Sequence, residues 1–127
     1  MESLPLRGLV PMAHVADVAR SIEFYRQLGF NTRNTLQHDG HMRWAWMENG
    51  KAHLMLARSS GPINAEGQAV LFYLYAPDVA AYRAELMEGG VRVGLLTYPT
   101  YMPEGEFRVH DPDGYVLLVG QSDDASL

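Results

Sequence analysis

The feature that most constrains the fold of this chain is an internal repeat. The tripeptide Asp-Val-Ala begins at Asp17 and again at Asp78, each time after an apolar stretch and before an amphipathic segment. The two copies start 61 residues apart, which is close to half of the 127-residue chain. Two half-chain copies predict a domain with approximate twofold symmetry, because a solenoid needs three or more short units. We expect the functional site between the two copies.

The same order of elements is predicted after each copy of the repeat. The aspartate offers a side-chain oxygen that caps a helix, and a glycine, Gly29 in the first half and Gly89 in the second, stops it. Asn49-Gly50 predicts a tight hairpin turn, because the favoured turn needs positive φ at both central residues. In the second half, residues 91–96 are predicted to form a strand. Strand, helix and three strands are therefore expected twice.

These elements predict an α+β fold made of two tandem βαβββ modules in one domain covering residues 1–127. The modules span about residues 8–58 and 68–121, with a linker at 59–67 and a polar tail at 122–127. A sheet that is covered by one helix leaves its other face bare, and two such sheets placed edge to edge make a curved mixed sheet. Its concave face is the expected ligand cleft.

The composition excludes several classes of function. The chain has no cysteine, so disulfides, thiolate metal ligands and cysteine nucleophiles are absent. Its net charge of −5 disfavours nucleic acid as a partner and mildly favours cationic small molecules. No apolar run is long enough to cross a membrane, and the first residues lack the pattern of a signal peptide. We expect a cytoplasmic protein that contacts no membrane.

Two motifs give the chain a resemblance to a known family. The segment 17–25 together with Leu28-Gly29-Phe30, and the segment 107–114 ahead of the last predicted strand, resemble the vicinal oxygen chelate superfamily. This superfamily includes glyoxalase I, extradiol dioxygenases, and fosfomycin and bleomycin resistance proteins. The motifs are signatures of the fold and not of a reaction, so the resemblance implies architecture more strongly than chemistry.

The resemblance also implies four positions at which enzymes of this superfamily hold a divalent metal. In this sequence they are Val10, His53, either Leu71 or Phe72, and Leu118. A catalytic metal needs about three converging protein ligands, and His53 is the one residue of this set that can bind a metal. The resemblance therefore points to the metal-free branch that contains bleomycin resistance proteins, which are dimers that sequester a cationic antibiotic. We expect no metal, no cofactor and no catalytic residue.

Aromatic and histidine side chains supply the candidate binding residues. Strand alternation projects Trp44 and Trp46 from one face, and it places His53 on the concave side opposite Leu54 and Leu56, which pack on the helix. Aromatic rings of this kind can stack on planar or cationic ligands. The predicted ligand-binding residues are His14, Trp44, Trp46, His53, Tyr73, Tyr75, Tyr98, Tyr101 and Phe107.

Other interpretations of these residues stay open at the level of sequence. The aromatic side chains could fill the core, His53 could have a structural role, and His14 could lie at the surface or at a dimer interface. Glu104 and Glu106 could attract a cation or form a solvated pair. The rival function is a metal-dependent lyase, isomerase or dioxygenase with non-standard ligands. Binding of a small organic molecule by a homodimer is the favoured function.

Overall fold

The repeat seen in the sequence is present in the backbone. The computed structural model describes residues 4–64 and 67–123. The first half contains β1 (Met12–Val15), α1 (Val18–Gln27), β2 (Asn31–His38), β3 (His41–Asn49) and β4 (Ala52–Arg58). The second contains β5 (Phe72–Ala76), α2 (Val79–Glu88), β6 (Glu106–His110) and β7 (Val116–Gln121). The α+β prediction and the tandem modules are confirmed. Part of the predicted linker (65–66) and of the predicted tail (124–127) lies outside the described residues.

Both helices begin with the same capping geometry. The Asp17 carboxylate accepts a hydrogen bond from the backbone N–H of Arg20 at 3.1 Å, and the Asp78 carboxylate accepts one from Ala81 at 3.0 Å. The φ angles of the two caps are −142° and −143°. Each cap satisfies an amide that has no partner within its helix. The two helix starts predicted from the repeat are therefore confirmed. Neither helix in the described part of the chain is long and apolar enough to span a bilayer.

The strands form two mixed sheets with the same internal order. The first sheet has the order β1-β4-β3-β2, and the second has the order β5-β7-β6. In each sheet the first strand pairs in parallel with the last strand of its module, and the other pairings are antiparallel. The curved sheet expected from the sequence is thus divided into two hydrogen-bonded sheets. The reason is that the halves meet through their helix-facing sides, where they share one core.

Hydrogen bonds connect the two halves around this core. The Tyr25 hydroxyl on α1 donates to Asp111 Oδ2 at 2.9 Å, and the Ala16 backbone N–H donates to Asp113 Oδ1 at 3.0 Å. From α2, the Tyr82 hydroxyl donates to the backbone carbonyl of Leu28 at the end of α1. Tyr25 is fully buried. The Asp-Pro-Asp-Gly turn of the second module therefore anchors the helix of the first.

Two local predictions are corrected by the structure. The segment 91–96 is not a strand. The Arg83 side chain on α2 donates a hydrogen bond to the backbone carbonyl of Gly94 at 2.8 Å. The segment therefore bonds to β6 only through the Gly94 amide, which donates to the backbone carbonyl of Arg108. The hairpin turn between β3 and β4 is also shifted by one residue. Asn49 is paired with Ala52 across the ladder, so the turn consists of residues 50–51, with the positive φ at its first position.

Candidate functional site

The first sheet has one face against α1 and one face turned outward. On β3, Ala45 and Met47 are fully buried toward the helix, while Trp44 and Trp46 project to the other side and are half-buried. On β4, Leu54 and Leu56 are buried, whereas His53 and Met55 point outward, as predicted. We call the outward surface the first outer face. By strand register it comprises Met12, His14, Leu36, Trp44, Trp46, His53 and Met55.

Large apolar side chains on the first outer face remain accessible to solvent. Met12 is 48% exposed and Leu36 is 61% exposed. Their neighbours Trp44, Trp46 and Met55 are half-buried. Contiguous exposed apolar surface of this kind marks a contact site for a ligand or another protein. The alternative in which the tryptophans fill the core is excluded, since their side of the strand faces away from it.

Polar contacts hold Trp46 in place on this face. Its indole N–H donates to His53 Nδ1 at 3.0 Å, and the Arg33 guanidinium lies 4.9 Å from the centre of its ring. Glu48 Oε2 lies 3.9 Å from Arg33 and 3.7 Å from His53 Nδ1. An indole can only donate, so His53 Nδ1 is the acceptor and the ring proton of the neutral imidazole is on Nε2. His53 thus presents an N–H donor on its free side.

Arg33 is a site residue that the sequence did not reveal. The register between β2 and β3 shifts between Thr32 and Asn34, so strand alternation cannot be extended through this position. Counted from Thr32, alternation turns Arg33 outward, whereas counted from Leu36 it turns Arg33 inward. No residue type at this point of the sequence signals the bulge.

A cavity of about 260 Å³ lies at the seam between the two modules. It brings together His53 of the first module and Tyr73 of the second, two of the predicted binding residues. Its walls are mostly apolar and are formed by Pro11, Tyr25, Phe30, Ala52, His53, Leu54, Leu71, Phe72, Tyr73, Leu74 and Leu117. The seam between the repeats therefore offers space for a small apolar group beside two polar ones.

The residues at the superfamily's metal positions do not fit a metal. Val10, Leu71 and Leu118 have no donor atom in their side chains, and the acceptor nitrogen of His53 is engaged by Trp46. Between the two open assignments of the third position, Phe72 is wrong, because its ring packs toward the core and stacks on Tyr115 at 5.8 Å. In residues 4–64 and 67–123, no group of three or more His, Asp or Glu side chains could hold a metal ion.

The second sheet also has an outward surface, which we call the second outer face. By strand register it comprises Tyr73, Tyr75, Glu106, Arg108, Leu118 and Gly120. Phe107 was predicted to contact the ligand, but the structure turns its side chain toward the core. Its side chain is 1% exposed and packs beside Tyr82 in the core, with ring centres 6.4 Å apart. Strand alternation gives the outward position to its neighbour Glu106 instead.

Glu106 is the most enclosed polar residue of the second outer face. It is 6% exposed, and its two carboxylate oxygens accept hydrogen bonds from the hydroxyls of Tyr73 and Tyr101, each at 2.5 Å. Burial and the hydrogen bond to Glu106 raise the pKa of Tyr73, and the same kind of hydrogen bond raises the pKa of Tyr101. The phenols therefore stay protonated at neutral pH and stabilise the carboxylate. Glu106 does not form a solvated pair with Glu104, which is exposed.

The loop 97–105 lies over the second outer face. A Cβ atom added to Gly120 would come within 2.8 Å of the Met102 side chain of this loop and 3.0 Å of the Tyr73 hydroxyl. Tyr98 lies against Gly105, directly before Glu106. Tyr98 and Tyr101 are 64% and 67% exposed, so they form the rim of the covered region. The first outer face is open, whereas the second is partly closed by its own loop.

The remaining predicted residues lie at the edges of these surfaces. His14 is exposed on the first outer face, and its backbone carbonyl accepts a hydrogen bond from the Tyr115 hydroxyl at 2.7 Å. Tyr75 is 50% exposed, and its ring centre lies 5.0 Å from that of Tyr73. Apart from Phe107, every predicted binding residue is therefore accessible on an outer face or on the loop that borders it.

Solved structures of other proteins share this architecture. A bleomycin resistance determinant encoded on the transposon Tn5 is 17% identical, with a TM-score of 0.77, and the match covers 94% of this chain and all of that one. A bleomycin-binding protein from Streptomyces verticillus, solved with copper(II)-bleomycin, is 19% identical with a TM-score of 0.74 and coverage of 95% and 100%. An antibiotic-binding protein from Streptomyces sp. CB03234 is 21% identical with a TM-score of 0.72 and the same coverage. These likenesses show the fold.

The sequence itself matches a family model over most of its length. No protein with a curated description matches the chain. The family model that matches is described as the Glyoxalase/Bleomycin resistance protein/Dioxygenase superfamily, and it aligns with residues 11–119. This range includes both helix caps, the seam cavity, the first outer face and all of the second outer face except Gly120. The chain belongs to the Glyoxalase/Bleomycin resistance protein/Dioxygenase superfamily.

Proposed function

We propose that this protein binds a small organic molecule and retains it without reaction, as a metal-free binding protein of the glyoxalase and bleomycin resistance type. The observation that carries this proposal is the open first outer face, on which two half-buried tryptophans stand beside an apolar seam cavity. The lack of donor atoms at Val10, Leu71 and Leu118 supports binding over metal-dependent catalysis. Proteins of the same fold are named as bleomycin-binding or antibiotic-binding.

The geometry favours an aromatic or cationic ligand such as an antibiotic or a metabolite. Trp46 is held by Arg33 and His53, so its ring can stack on a planar group with little loss of side-chain entropy. The Nε2–H of His53 can donate to a carbonyl or ring nitrogen of the ligand. The net charge of −5 assists the capture of a cation.

Trp44→Ala is expected to weaken ligand binding at least about tenfold, since a lost stacking contact of about 1.4 kcal/mol has that effect on a dissociation constant. The chain has two tryptophans, and both lie on the first outer face, so tryptophan emission reports on this face alone. Bleomycin and a panel of planar and cationic antibiotics would be screened by emission and by thermal shift. A ligand at 100 times its dissociation constant adds about 2.7 kcal/mol to the stability.

The matched control is Trp44→Phe, which keeps a flat ring and is expected to keep most of the affinity. The dissociation constants of the variants would be measured by calorimetry. Unchanged binding by Trp44→Ala would place the ligand elsewhere. One tightly bound metal per chain, with turnover that a chelator abolishes, would replace the proposal by the metal-dependent enzyme.

We also propose that the protein acts as a homodimer in the cytoplasm. Leu4, Leu6 and Leu9 ahead of β1 are 91%, 91% and 88% exposed. A second copy of the chain would bury this apolar surface. Sedimentation equilibrium is expected to give twice the chain mass. Replacing Leu6 and Leu9 with serine is expected to weaken the dimer, whereas a monomer at all concentrations would contradict this proposal.

A further inference from the structure

Glu106 is a buried carboxylate without a counter-ion. It is 6% exposed, and within residues 4–64 and 67–123 no Lys, Arg or His nitrogen lies close enough to form an ion pair with it. Arg108, two residues along the same strand, is exposed and does not pair with it. A buried charge is costly unless an opposite charge compensates it. The second outer face therefore holds a negative charge that the described chain does not neutralise.

The two phenols do not explain why this side chain is charged. Tyr73 and Tyr101 each donate one hydrogen bond, and a neutral glutamine could accept from one phenol and donate to the other. A purely structural acceptor at this position needs no charge. The carboxylate becomes useful when a positive charge approaches it.

Two tyrosine hydroxyls contact the carboxylate, and two further tyrosines lie near these residues. Tyr73 and Tyr75 lie side by side on β5, with Tyr98 and Tyr101 at the rim of the covering loop. Aromatic faces attract organic cations, and cages of several rings recognise quaternary ammonium groups. Beside Glu106 lies a cavity of about 260 Å³, lined by Gly94, Leu95, Thr97, Glu106, Phe107, Arg108 and Leu118. This cavity leaves room for a small alkylammonium group next to Glu106; Phe107 is its one aromatic wall residue, and the exposed Arg108 also lines it.

We propose that Glu106, together with Tyr73, Tyr75, Tyr98 and Tyr101, is a recognition site for an ammonium group of the ligand. The inference rests on the proposed binding function and names the chemistry that the second outer face recognises. Each carboxylate oxygen keeps a lone pair beyond the one used by its phenol, so the cation adds to the existing hydrogen bonds.

The test compares choline with 3,3-dimethylbutan-1-ol, a neutral molecule of the same shape, and with ethanolamine, which carries a primary ammonium group. Binding would be measured by NMR titration of the tyrosine ring signals of the full chain. We expect at least one of the two cations to bind tenfold or more tightly than the alcohol. Equal binding of all three probes would overturn the proposal.

The decisive variant is Glu106→Gln, which removes the charge and preserves the size of the side chain. It is expected to abolish the preference for the cation. Glu104→Gln removes the same charge from an exposed position two residues away, and it is expected to keep the preference. A cation preference that survives in Glu106→Gln, or that is lost equally in both variants, would contradict the assignment.

A second variant covers the case in which Glu106→Gln does not fold. Tyr101 is 67% exposed, so Tyr101→Ala is expected to fold and to bind the cation several-fold more weakly. Unchanged affinity would contradict the proposed cage. If the cations show no preference while planar ligands still change the emission of Trp44 and Trp46, only the ammonium assignment fails and the binding function stands.

Discussion

Asp111→Ala is expected to destabilise the fold by about 3–5 kcal/mol, the size of effect seen when one member of a buried polar cluster is removed. Asp111 is 5% exposed and accepts three hydrogen bonds of 2.9 Å, from the Tyr25 hydroxyl and from the backbone N–H groups of Asp113 and Tyr115. Alanine would leave these donors without a partner in the interior. Burial raises the pKa of Asp111 and these hydrogen bonds oppose the rise, so they are what makes the buried charge tolerable.

Urea denaturation followed by circular dichroism would measure the loss of stability. Asp111→Asn keeps one oxygen that can accept from the two backbone amides, and it is expected to cost less than the alanine variant. Tyr25→Phe removes only the hydrogen bond that Asp111 accepts from the first module. If Asp111→Ala lost less than about 1 kcal/mol, the typical net contribution of a single hydrogen bond, the apolar core alone would hold the two modules together.

Raising the pH above 10 is expected to destabilise the protein steeply. Burial raises the pKa of Tyr82 to about 12, from its ordinary value of 10.0. Burial is also the main cause that raises the pKa values of Tyr25, Tyr73 and Tyr115. Between the ordinary and the raised pKa, the unfolded chain has lost a proton that the folded chain still holds. The stabilisation is therefore complete below pH 10 and is lost as the pH rises.

The expected slope is about 1.4 kcal/mol of unfolding free energy per pH unit for each tyrosine that is retained in its neutral form. For Tyr82 this slope extends from pH 10 to about pH 12. Urea denaturation at intervals between pH 8 and about 12, with absorbance of the ionised phenol as a second signal, would measure it. Tyr82→Phe is expected to flatten the dependence. A flat profile above pH 10 would contradict the prediction.

The helices and the repeat could be predicted because their signals are local. Asp17 and Asp78 cap their helices through amides three residues away, and nothing distant is needed for that bond. That Trp44 and Trp46 share one face followed from strand alternation in the same way, whereas the sequence left open whether that face belongs to the core. At these positions the short-range interactions favour the same structure that the complete fold adopts.

The failures arose where tertiary contacts override the local pattern. Residues 91–96 look like a strand, but Arg83 on α2 takes the carbonyl that the ladder would need. Phe107 was assigned to the ligand because it is aromatic, although alternation on β6 turns it inward and turns Glu106 outward. Alternation, followed strictly, would have found Glu106. Arg33 could not have been found, because the bulge in β2 is not encoded by a recognisable residue pattern.

The irregular outer edges of the two sheets limit how copies of this chain can associate. At one edge, β2 carries two register shifts, and the outer edge of β6 is covered by Gly94 and Thr97, which form backbone hydrogen bonds with Arg108 and Glu106. A regular free edge invites another strand to add to it, and repeated addition leads to fibres. Edges of this kind resist such addition. The dimer proposed above would then form through the exposed leucines of the N-terminal segment, and contact between identical patches would stop its growth at two copies.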